Sequence, residues 1–148
     1  MTSGYAFISI IALISYLFLF LTFFAAKRTK IINEFMLILI SMILWTGGSF
    51  FMRAMFFPGV KVWYDVSVLG LTICPAISLL FAVDFANIEI GIMRKVWLIL
   101  AVVANLVNIV TSSLLAPPEV VTMADGSIKF LYETTWKVIF LYGVTFSA

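Results

Sequence analysis

The stretch YAFISIIALISYLFLFLTFFAA, Tyr5 to Ala26, contains no charged residue. As an α-helix its 22 residues rise about 33 Å, enough to cross a hydrocarbon layer of about 30 Å. No basic residue precedes it, and it exceeds the roughly 7–15 apolar residues of a signal peptide. The basic residues Lys27, Arg28 and Lys30 follow it instead. It reads as a retained transmembrane helix.

The rest of the chain has the same character. Of its 148 residues, 64% are hydrophobic and 11% charged, against about 25% charged in an ordinary soluble domain. A soluble protein this small leaves too much of its surface in water to hide that apolar area. Further spans are expected at 35–57, 66–85 and 96–115. A fifth starts near Trp136 and is still apolar at Ala148. Its residues 137–148 rise only about 18 Å, too short to cross. The expectation is an all-α membrane protein: a multi-helix transmembrane bundle with four full spans, and a partial fifth that continues in a longer protein.

Five of the nine Lys and Arg residues lie in two short loops: Lys27, Arg28, Lys30, Arg94 and Lys95. Short loops rich in Lys and Arg stay cytoplasmic. This places the N-terminus outside, in the cell membrane, together with the second and fourth loops. The fourth loop holds two β-prone runs, Glu119–Met123 and Ser127–Tyr132, around Asp125-Gly126. Asp-Gly favours a tight hairpin turn. A small outer β-hairpin over the mouth of the bundle is expected.

Several kinds of chemistry are excluded within these residues. There is no histidine, hence no His-ligated metal, no Ser-His or Cys-His nucleophile and no phosphoacceptor histidine. No phosphate-binding glycine loop, metal-ligand spacing or paired catalytic carboxylates occur. The single cysteine, Cys74, forms no internal disulfide and reads as a packed thiol. No catalytic residue, cofactor or metal is assigned. A net charge of +2 without a basic patch argues against nucleic acid. The lipid bilayer is the expected surrounding partner.

The candidate signalling residues are polar or irregular positions within the spans. Pro75, in the middle of the third, removes a backbone donor and frees the Leu71 carbonyl, so a kink is expected, with Thr72 or Ser78 serving that carbonyl. It is a passive bend or a hinge. Gly70, Cys74, Ser78 and Ala82 form a small-residue stripe for close helix packing. In the fourth span, Ala101, Ala104, Asn105, Asn108, Thr111 and Ser112 share one face that should point inward. Asn105 and Asn108 join helices or, less favoured, line a cavity for a small-molecule or lipid ligand. Trp45, beside Gly47-Gly48, lies too deep for the interface and reads as packing more than ligand contact. Glu34 and Asp84 are expected to pair with the inner basic residues. Arg53 and Asp65, which opens the third span, sit level at the outer end. They pair across the outer turn, or Arg53 snorkels to the headgroups, or it anchors an anionic ligand. Trp63, Tyr64, Tyr132 and Trp136 read as an interfacial aromatic belt.

Asn33-Glu-Phe-Met-Leu-Ile-Leu-Ile-Ser-Met-Ile-Leu-Trp45 resembles the second helix of the N-terminal seven-transmembrane sensor region of bacterial histidine kinases. Pro75 with Ile77-Ser-Leu-Leu-Phe81 resembles that region's third helix. The long outer loop with its glycine turn, then the aromatic approach from Trp136 to Tyr142, is similar as well. The resemblance spans nearly the whole chain and ends in helix five of seven. It implies a sensory input module of a two-component signal-transduction receptor. Its output domain, a histidine kinase or a diguanylate cyclase, would be cytoplasmic and in the same polypeptide. It also implies a homodimer. A fragment of a multi-pass transporter or channel, and an accessory membrane subunit, are the alternatives.

Overall fold

Thr29 decides where the second helix begins. Its extended backbone and its hydroxyl, which accepts from the Ile32 amide at 3.2 Å, form an N-cap that satisfies one of the free amides of the first turn. The structure is a computed structural model and describes residues 3–88, 92–111, 115–124, 128–133, 136–137 and 139. Its helices are α1 (Ser3–Phe24), α2 (Lys30–Arg53), α3 (Val60–Phe85) and α4 (Met93–Thr111). A two-stranded sheet, β1 (Glu119–Thr122) and β2 (Ile128–Leu131), follows.

Among the described residues, three helices are long and apolar enough to cross a membrane: α1, α2 and α3. Their 22, 24 and 26 residues rise about 33, 36 and 39 Å. Among the described residues α4 carries a shorter apolar stretch, Val102–Thr111. The fifth span lies almost wholly outside the described residues.

The helix bounds differ from the apolar runs. α2 starts five residues before Phe35 because the Thr29 cap draws Lys30 and Glu34 into the helix. α3 starts at Val60, so Asp65 stands in its second turn and does not open it. Apolar runs measure the lipid-facing part of a helix. Hydrogen bonding carries the helix past that part into polar residues.

The helices pack in sequence order: α1 on α2, α2 on α3 and α3 on α4. α2 and α3 form the centre. Met36, Leu39 and Met52 of α2 and Val68, Ala76, Ile77 and Val83 of α3 are buried. The rest is broadly apolar outside, as in Phe7, Ile11, Phe18, Ile99, Leu106 and Val110. In lipid such faces need no protein cover.

Glycines let the two central helices touch. A methyl added at Gly48 would lie 2.6 Å from the Ser67 nitrogen and 2.8 Å from the Trp63 carbonyl oxygen. One added at Gly70 would lie 2.5 Å from the Trp45 nitrogen. Each helix thus offers one glycine to the other's backbone. Gly47 faces α1, where a methyl would meet only Leu13 Cδ1 at 3.6 Å.

At one end Lys30 Nζ lies 2.8 Å from Asp84 Oδ1, joining the start of α2 to the end of α3. Arg28 sits there as well, 4.9 Å over the Phe24 ring. At the other end the hairpin pairs antiparallel, Glu119 with Leu131 through to Thr122 with Ile128. Its Asp125-Gly126 turn lies outside the described residues.

Candidate functional site: a cavity at the hairpin end

α2 and α3 cross at a hydroxyl pair. Ser49 Oγ and Ser67 Oγ are 2.8 Å apart, and Ser67 Oγ donates to the Trp45 carbonyl at 3.0 Å. Gly48 makes this possible by letting the Ser67 backbone come close. A cavity of about 250 Å³ lies at this crossing and reaches from Trp45 and Leu71 to Tyr132 and Glu133 beside the hairpin. Met52, Ser67, Val68 and Leu115 are its buried floor. Trp45, Tyr64 and Tyr132 supply aromatic wall, and Glu133 stands at the rim.

The far wall comes from the segment after α4. Asn108 is 1% exposed, and its Oδ1 accepts from the Leu115 amide at 2.7 Å. That bond holds Leu115 against Val68, with Tyr64 and Ala104 packed around them. Strand β2 then delivers Tyr132, whose ring centroid is 6.5 Å from that of Tyr64. The hairpin is therefore tied to the cavity through its last residues.

Trp63 does more than sit at an interface. Its indole Nε1 is 3.1 Å from the Phe56 carbonyl and 3.3 Å from the Phe57 carbonyl, and its ring lies 4.5 Å from that of Phe51. It closes the turn between α2 and α3.

The structure brings only some of the sequence candidates to this place. Trp45 lines the cavity. Asn108 braces its wall by gripping the chain seven residues on, a bond that stays within the α4 end. The side chain of Asn105 lies outside the described residues. Arg53 ends α2, exposed, and is not among the lining residues. No ion pair joins it to Asp65; the cation acting on Asp65 is Lys61, one turn earlier on the same helix. Pro75 lies inside a continuous α3, away from the cavity. The Thr72 hydroxyl donates to the Val68 carbonyl at 2.7 Å, with Leu69 at 3.3 Å. Thr111, expected on the inward face of α4, is exposed and bonds back to Val107. The pairing of Asp84 with Lys30 of the first-loop basic cluster is as expected. Glu34 is buried at that end. Cys74 is a buried free thiol.

Sequence reading missed Ser49, Ser67 and Glu133. Ser67 lies one turn before Gly70 and extends the small-residue stripe, which is the signal that was there to find.

Comparison with known protein families, with characterised proteins and with solved structures finds no match.

Proposed function

We propose that this chain is the membrane-embedded sensory input module of a signal-transducing receptor, a sensor histidine kinase in the reading its sequence resembles. α1 to α4 and a fifth helix then cross the cell membrane, with the N-terminus and the hairpin outside. A cytoplasmic output domain follows in the same polypeptide.

The outer cavity is the observation that supports this reading. It is walled by four separate pieces: α2, α3, the segment after α4 and the end of β2. A molecule seated there touches parts of the chain far apart in sequence. It can favour one packing of the bundle over another, provided it binds the two with different affinity. The α2–α3 contact would carry such a change inward to the Lys30–Asp84 bridge.

The test fills the cavity. Ser49→Leu in the polypeptide as encoded, expressed in its native membrane, places an apolar side chain where the signal would sit. The expected outcome is normal membrane abundance with the output locked at one level. Output that still follows stimulus as in the parent protein removes the reading.

A further inference from the structure

We infer that the outer cavity recognises an alkylated ammonium group, such as the trimethylammonium of choline. This rests on the cavity being the sensing site proposed above and names the chemistry it takes.

The wall carries the argument. Trp45, Tyr64 and Tyr132 line one cavity of about 250 Å³. The Tyr64 and Tyr132 centroids are 6.5 Å apart, so one cation seated beside both lies within the roughly 6 Å over which aromatic rings attract positive charge. Among the described residues Glu133 is the only charged one in the lining, and its carboxylate makes no ion pair there. Among the described residues the lining holds no cation, so an anionic ligand would meet only like charge there.

The hydrogen bonds at the floor decide between kinds of cation. A primary ammonium brings three N–H donors that need acceptors. At the floor, Ser49 and Ser67 bond to each other and the Trp45 carbonyl accepts from Ser67, so three N–H donors compete there with bonds already made and keep the Glu133 carboxylate at the rim as their charged acceptor. A quaternary ammonium has no N–H. It presents only methyl groups with spread positive charge, which suits an aromatic wall over Met52, Val68 and Leu115. The same group occurs in free choline-type solutes and in phosphatidylcholine headgroups. The cavity lies at the end of the bundle where both are within reach.

The experiment uses the full chain in nanodiscs of phosphatidylglycerol, which contain no choline. Choline is titrated beside 3,3-dimethylbutan-1-ol, its uncharged carbon isostere. Saturable choline binding, with the isostere weaker by roughly tenfold or more, is the expected result. Tyr132→Leu should weaken choline by a similar factor and Tyr132→Phe should not. Glu133→Gln should weaken it several-fold, and circular dichroism checks that each variant is folded. Repeating the titration in phosphatidylcholine nanodiscs separates the sources. A weakened apparent affinity there means the headgroup competes for the site; an unchanged one assigns it to the soluble solute, and either supports the inference. Equal binding of the isostere overturns the inference and leaves the cavity as a binding site. A flat choline titration also overturns it, while the sensory reading is judged separately by its Ser49→Leu output.

Discussion

Gly48 and Gly70 are the positions where one added carbon matters most. Each faces backbone atoms of the other helix, which cannot swing away as a side-chain tip can. Gly48→Leu or Gly70→Leu should push α2 and α3 apart and cost about 1–3 kcal/mol, the range for overpacking a close contact. Thermal unfolding in detergent measures it. Gly47→Ala is the control: a methyl there meets Leu13 at ordinary contact distance, so stability should hold or rise, since alanine favours the helix. Ser67 is a subtler case. Ser67→Ala removes its bonds to Ser49 and to the Trp45 carbonyl and should cost about 0.6 kcal/mol, the average for a hydrogen bond between membrane helices. A loss above about 2 kcal/mol would mean that the pair does more than join two helices.

At the scale of elements, the end of α4 is held by its own side chain. Asn108 reaches forward to the Leu115 amide and brings Leu115 onto Val68. Asn108→Ala leaves a buried amide without its acceptor and should destabilise the hairpin end of the bundle by about 1–3 kcal/mol. Hydrogen exchange at Leu115 should quicken, while exchange in the middle of α2 and α3 stays slow. At the opposite end, the bridge from Lys30 to Asp84 ties α2 to α3. The lysine side chain is 64% exposed, so water and salt weaken the attraction. A double-mutant cycle with Lys30→Gln and Asp84→Asn should give a coupling of only about 0–1 kcal/mol, falling as salt is raised. A salt-independent coupling would show that the pair is shielded.

For the whole molecule, the packing order places the Lys30–Asp84 bridge and the cavity toward opposite ends of α2 and α3. This permits a direct test of sidedness. Lys61→Cys and Lys129→Cys should react with an impermeant maleimide on intact cells, while Lys27→Cys should react only after the membrane is opened. The reverse pattern would invert the proposed orientation. Native Cys74 is buried and should give little background. The broad apolar exterior of α1 and α4 should also make the protein aggregate once detergent or lipid is withdrawn.

The sequence alone determined the helical membrane character and the hairpin. Long uncharged runs have one stable solvent, and two β-prone runs around an Asp-Gly turn have one simple pairing. It also pointed to the pairing of Asp84 with the first-loop basic residues, because the ends of successive helices must meet. Only the tertiary structure decided where a site lies. Ser49, Ser67, Tyr64, Tyr132 and Glu133 are spread over three segments, and none is unusual in its own stretch. What unites them is the close approach at Gly48 and the Asn108 grip on Leu115. Both depend on how backbones pass one another in space, which no local pattern of residues encodes.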